Sequence, residues 1–190
     1  MKDKYIWIIL VVVILINMLF LNRKVRLFSL LKEQLLVFKN YKTKKVSLWD
    51  CFCFLASPVI ASLIFVFKLN FTIDDDLANL LTTVFSVIFT VLFGFAAIMI
   101  SKIESPNKIE KQVAEETFVS IVSATILSLL VAVASIVLTQ MDVHLCCQIM
   151  SAIVLALSLI IIMLILLITK RTFFLYIDNK TNNMRNEVKR

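Results

Sequence analysis

The stretch LANLLTTVFSVIFTVLFGFAAIMI, residues 77–100, contains no charged residue and no proline. A helix needs about 17–25 mainly apolar residues to cross a hydrocarbon core about 30 Å thick, so this stretch is long enough for one transmembrane span. It lacks the alternation of apolar and polar residues that is typical of a membrane barrel strand. We therefore expect residues 77–100 to form a transmembrane helix.

Four further apolar runs occur in the chain, at residues 5–21, 52–67, 118–138 and 151–168. The chain is 61% hydrophobic, whereas soluble domains are about 45–50% apolar. This composition predicts an all-α integral membrane protein with four to five transmembrane helices and helical cytoplasmic extensions. The number depends on the run 5–21, which either crosses the membrane or lies in its interface.

Basic residues predict the orientation and the division of the chain. Seventeen of the 20 Lys and Arg residues lie in segments 22–46, 101–117 and 170–190, and basic segments flanking spans stay in the cytoplasm. We therefore expect a first transmembrane segment at 1–21, a basic cytoplasmic helical segment at 22–46, and a transmembrane bundle at 47–169 with a cytoplasmic loop at 101–117. A basic cytoplasmic tail at 170–190 follows. Such basic surfaces also suit anionic lipid headgroups.

Three consecutive aspartates, Asp74, Asp75 and Asp76, precede the span at 77–100. Thr72 and Asp75 have the spacing of a capping box, and carboxylates in a first helical turn face the positive end of the helix dipole. We favour a helix start over a divalent cation site, because such sites usually gather oxygens from more than one segment. Pro58, inside the run 52–67, predicts a bend that is either a static kink or a hinge.

Residues that could carry chemistry are few. His144 is the only histidine, and no ionisable residue lies in the middle of an apolar run. Proton relays and ion-coupled transporters need such groups at depth. No Gly-rich phosphate loop, zinc protease motif or nucleophile elbow occurs. The prediction is a protein that is not an enzyme, with no catalytic, metal or cofactor site.

Small residues recur at four-residue spacing in three of the apolar runs, where they allow helix backbones to approach closely. They are Ser86, Thr90 and Gly94, then Ser120, Ala124, Ser128 and Ala132, and then Ala152 and Ala156. Several such stripes on few helices indicate a homo-oligomer, for which a tetramer is one candidate. A stripe that bears hydroxyl groups can alternatively line a narrow pore.

Apolar and aromatic side chains are mixed with the charges of the two predicted cytoplasmic segments. Apolar groups beyond the bilayer must be buried on something, so these segments are candidate docking sites for a soluble protein rather than for nucleic acid. The candidate docking residues are Arg23, Lys24, Arg26, Phe28, Leu31, Leu35, Phe38, Phe173, Phe174 and Tyr176.

This layout, with about 190 residues, clustered spans, minimal outer loops and the stretch SLWDCFCFLASPVIASL at 47–63, resembles the membrane subunit (KwaA) of Kiwa-type anti-phage defence systems. The resemblance implies an oligomer of the bacterial inner membrane that senses phage-induced perturbation of the envelope. It would recruit a soluble DNA-binding effector subunit (KwaB) to its cytoplasmic side, and it implies no catalytic residue. The residues leave three functions as hypotheses. The first is a non-enzymatic sensor or scaffold that docks a cytoplasmic effector, and the second is an oligomeric pore that depolarises the cell. The third, a small transporter, is disfavoured because the apolar runs contain no charge at depth and the chain has no internal repeat.

Overall fold

The computed structural model describes residues 32–34, 49, 52–103, 108–140 and 144–188. Four helices account for most of this part of the chain, and it contains no strand. They are α1 (Phe52–Lys68), α2 (Asp75–Ile103), α3 (Lys108–Leu138) and α4 (His144–Val188). The all-α class predicted from the apolar runs is therefore confirmed for the described residues.

Three of these helices are long and apolar enough to cross a membrane. Their apolar parts are Asp75–Ile100, Lys111–Leu138 and Cys146–Phe174, with 26, 28 and 29 residues. Helix α1 is also apolar but has 17 residues, the lower end of the length that a span needs. The predicted run 5–21 lies outside the described residues. The described part of the chain therefore has three helices that could span a membrane, and the expected four to five spans stay a prediction.

Helices α2, α3 and α4 pack together around two clusters of buried apolar side chains. One cluster contains Phe85, Val131, Val154 and Ile161. The other contains Leu92, Met99, Ile121, Leu164 and Ile168. Each cluster draws on all three helices, so α3 is held against both of its neighbours along most of its length. Helix α1 packs against α4.

The two ends of the bundle differ in how far the chain extends beyond them. At the short-loop end, residues 69–74 lead from α1 into α2, and α4 begins at His144. At the extended end, α4 continues to Val188. The whole of α4 has 45 residues and is about 68 Å long, whereas its apolar part has 29 residues and is about 43 Å long.

The aspartate run begins α2 at the short-loop end, as the sequence predicted. Asp74 is the capping residue, rather than Thr72, because its Oδ1 accepts the amide of Leu77 at 2.9 Å. Asp75 and Asp76 occupy the first turn. The preceding loop is fastened to α4, since the buried amide of Ile73 donates to the hydroxyl of Ser151 at 3.2 Å.

Helix α1 changes its winding twice. Residues Phe52–Ala56 are π-helical, Ser57–Leu63 are α-helical, and Ile64–Lys68 are π-helical again. Pro58 is buried in the first turn of the α-helical part, where the winding changes. Proline has no amide hydrogen, and a change of winding is one way for a helix to accommodate that loss. The hinge role of Pro58 stays a prediction.

Candidate functional site

The small-residue stripe of α3 is buried within the subunit, between packed helices. Ser120, Ala124 and Ser128 are fully buried, and Ala132 is 6% exposed. The hydroxyl of Ser120 donates to the carbonyl of Glu116 at 3.0 Å, and that of Ser128 to Thr125 at 2.8 Å. These hydroxyls are packed between helices and bonded to their own backbone, so the stripe faces no opening within the described part of the subunit.

The corresponding stripe of α2 lies on the outside of the bundle. Ser86, Thr90 and Gly94 are exposed, and a Cβ atom added to Gly94 would have nothing within 4 Å. The hydroxyls of Ser86 and Thr90 donate to carbonyls one turn earlier, at 2.7 and 3.0 Å. The α2 stripe therefore presents a flat surface with satisfied donors, bordered by exposed Val87 and Val91.

Ala152 and Ala156 lie on a third surface, the side of α4 that faces α1. Ala152 is 6% exposed and Ala156 is half-buried, and both line a groove between the two helices. The three stripes that look alike in the sequence thus have different roles: the α3 stripe packs the bundle, the α4 stripe faces α1, and the α2 stripe has open space in front of it.

A polar junction joins α3 and α4 near the extended end. The guanidinium Nη2 of Arg171 lies 3.3 Å from Oε2 of Glu116, and the Arg171 side chain is only 18% exposed. The amide nitrogen of Gln112 donates to the other Glu116 oxygen at 3.2 Å. Because these bonds involve charged groups, the junction links α3 and α4 near the ends of their apolar parts.

Beyond this junction α4 carries an exposed aromatic cluster. Phe173, Phe174 and Tyr176 are 64%, 62% and 66% exposed, and Ile177 is 47% exposed. We call these four residues the aromatic surface. Side chains of this size rarely stay open to solvent in such a group, so the surface needs either a lipid interface or a partner.

The other predicted docking residues, Arg23, Lys24, Arg26, Phe28, Leu31, Leu35 and Phe38, lie outside the described residues. The structure therefore places three of the ten docking candidates, all exposed on α4. Within the described part of the chain, no group of three or more His, Cys, Asp or Glu side chains is arranged to hold a metal ion.

Sequence reasoning missed the Glu116–Arg171 pair, because it treated both residues only as charges flanking spans. A signal was present: each residue is a charge at the boundary between a polar segment and a long apolar run. The direction of the two runs along the chain brings those boundaries to the same end of an antiparallel helix pair.

Comparisons of the chain with models of protein families, with curated proteins and with solved structures found no significant match.

Proposed function

We propose that the protein is a non-enzymatic, multi-pass membrane scaffold or sensor that assembles with copies of itself and docks a soluble cytoplasmic protein at its extended end. The observation that carries this proposal is the contrast between the two ends. At the short-loop end, α1 and α2 are joined by six residues, 69–74, whereas at the other end α4 runs on through the aromatic surface to Val188.

The depth of the aromatic surface in a bilayer follows from the length of α4. A hydrocarbon core of about 30 Å takes about 20 helical residues. Counted from Cys146, the core ends about three to five residues before Lys170 and Arg171, which is where basic side chains are well tolerated. Tyr176 and Ile177 then lie at or beyond the outer edge of the headgroups, where apolar area is best buried against a protein.

Residues 178–188 continue the helix for about 16 Å further. This projecting rod gives a partner a helical face to bind, with the aromatic surface at its base. The positive charge of the segments 22–46 and 170–190 supports a cytoplasmic location and favours a partner with an acidic surface.

The α2 stripe is the candidate surface for self-association. Small residues with internally satisfied hydroxyls let two helices approach closely, and the bundle leaves this face open. The burial of Ser120 and Ser128 favours helix packing over the pore hypothesis for the α3 stripe. A role in anti-phage defence, with a DNA-binding effector as the docked protein, is the specific form of the proposal that the resemblance to the Kiwa membrane subunit supports.

The proposal is tested by mild-detergent purification of the tagged protein from its native host, with mass spectrometry of whatever co-purifies. Wild type is expected to retain a soluble protein in fixed stoichiometry. The triple variant Phe173→Ser, Phe174→Ser, Tyr176→Ser is expected to lose it while staying helical and in the membrane fraction.

The matched control replaces the same three residues by leucine, which keeps the surface apolar and should retain part of the binding. Co-purification that survives the serine variant would contradict docking at the aromatic surface. A homo-oligomer that never retains a soluble protein would contradict the scaffold reading as a whole.

A further inference from the structure

A groove of about 360 Å³ runs between α1 and α4, in the half of the bundle nearer the short-loop end. Its floor is made of small buried residues, Ser62 and Ala152, which are 1% and 6% exposed. Its rims are bulky residues that are about half exposed, namely Leu63, Phe67, Ile149 and Ile153. The groove forms because the small residues let the two helices approach closely, while the bulky residues on either side make its walls.

The chemistry of the groove is apolar throughout. Ser62 is the one hydroxyl-bearing residue in the lining, and its hydroxyl donates to the carbonyl of Val59 at 2.8 Å. The groove therefore offers an occupant no uncommitted hydrogen-bond donor from Ser62. An occupant gains from dispersion contacts with aliphatic and aromatic carbon, which suits a hydrocarbon chain.

The length of the groove matches one leaflet of a bilayer. Along α4 the lining extends over twelve residues, from Ile149 to Ile160, a rise of about 16 Å. Half of a hydrocarbon core about 30 Å thick is about 15 Å. A transmembrane helix continues through both leaflets and is about twice as long as this groove.

A basic residue follows the groove lining of α1 at the short-loop end. Lys68 is exposed and comes directly after Phe67, which lines the groove. Among the described residues of the short-loop end, Lys68 is the one Lys or Arg. Asp74, Asp75 and Asp76 begin α2 at the same end, where the Asp74 carboxylate accepts the amide of Leu77. The ammonium group of Lys68 suits the anionic phosphate of a lipid headgroup.

We propose that this groove binds one acyl chain of a glycerophospholipid from the outer leaflet, with the phosphate of that lipid at Lys68. The inference rests on the membrane placement proposed above and goes beyond it by assigning a ligand. This lipid site also concerns the proposed sensor role, because the first half of α4 lines the groove and its second half carries the aromatic surface.

The test places a photoreactive aliphatic amino acid, one carrying a diazirine, at Ile153 on the rim. The control places it at Leu129 on α3, which is 48% exposed, close to the 45% of Ile153, and belongs neither to the groove lining nor to the α2 stripe. Each protein is irradiated in native membranes and, separately, after extraction into mild detergent, and its mass is measured intact. In membranes both positions should form lipid adducts. In detergent the adduct should persist at Ile153 and be about tenfold weaker at Leu129, a preference of about 1.4 kcal/mol.

Two variants tie the adduct to the groove. Ala156→Leu fills the groove and should reduce the detergent adduct at Ile153 to the level seen at Leu129. Lys68→Gln should reduce it about two- to fivefold, as expected for the loss of one exposed charge pair, and Lys68→Arg should restore it. Because Lys68 is exposed, its variants keep the test valid if Ala156→Leu fails to fold.

Each alternative occupant of the groove would give a different crosslinked product. A crosslink from Ile153 to residues 5–21 of the same chain, or a product from Ile153 with the mass of two chains, would overturn the lipid assignment. Equal detergent adducts at Ile153 and Leu129 would overturn it as well, while leaving the membrane placement intact. The absence of lipid adducts at both positions in native membranes would overturn the membrane placement and the lipid site together.

Discussion

Replacing Gly94 by leucine should weaken self-association without destabilising the folded subunit. Gly94 is exposed on α2, and an added Cβ would meet nothing within 4 Å, so the larger side chain creates no clash inside the subunit. Leucine is also the better helix former by about 0.8–1 kcal/mol. The free energy of unfolding of the subunit should therefore stay the same or rise by up to about 1 kcal/mol.

The same substitution should weaken self-association. Gly94 is the last residue of the α2 stripe, one turn after Thr90, and a leucine side chain there would hold a facing helix away from the small residues that allow close approach. A loss of about 1–2 kcal/mol is expected, which reduces the association constant about 5- to 30-fold. Crosslinking and size measurement in mild detergent across a range of protein concentrations give this constant.

The matched control is Ala124→Leu on α3. Ala124 belongs to a stripe with the same spacing, but it is fully buried between helices. Overpacking there should destabilise the subunit by about 1–3 kcal/mol, measured as loss of helicity on heating in detergent. The reasoning is refuted if Gly94→Leu leaves the oligomer unchanged, or if Ala124→Leu leaves subunit stability unchanged while dissociating the oligomer.

Three further substitutions test the contacts that hold the helices in place, each measured by thermal or denaturant unfolding in detergent. Glu116→Gln removes the charged partner of the partly buried Arg171 and should destabilise the subunit by about 1 kcal/mol. The double variant with Arg171→Gln should lose less stability than the sum of the two single variants, because both remove the same ion pair. Losses that add in full would mean that the pair contributes nothing. Asp74→Ala should cost about 1 kcal/mol through the lost cap, whereas Asp74→Asn should cost little, and equal costs would contradict the capping role. Ser151→Ala removes the hydrogen-bond acceptor of the buried Ile73 amide and should lower the free energy of unfolding by about 1–3 kcal/mol. An unchanged stability would show that this amide finds another partner.

The helices were predictable from the sequence because apolar runs of span length leave few alternatives. The start of α2 at the aspartate run followed from helix-capping chemistry, although the cap proved to be Asp74 and not Thr72. Here the error is local: Thr72 and Asp74 both have side chains suited to capping, and only the backbone path of the loop decides between them.

The roles of the small-residue stripes were not predictable, because spacing alone does not say which helix lies opposite. Ser120 on α3 and Ser86 on α2 belong to stripes of the same kind, yet one is fully buried and the other exposed. That difference depends on α3 lying between α2 and α4, a tertiary arrangement. The groove between α1 and α4 was missed for the same reason, since its floor and rims come from helices that are distant in the chain.

The orientation of the extended end is the claim on which cytoplasmic docking depends, and it can be measured directly. In a variant whose four native cysteines are replaced by serine, single cysteines are introduced as Tyr176→Cys at the aromatic surface and Thr72→Cys in the short loop before α2. Both positions are exposed. A membrane-impermeant maleimide is applied to intact cells and then to permeabilised cells. The account predicts that Thr72→Cys is labelled in intact cells and that Tyr176→Cys is labelled only after permeabilisation. Labelling of Tyr176→Cys in intact cells would contradict it.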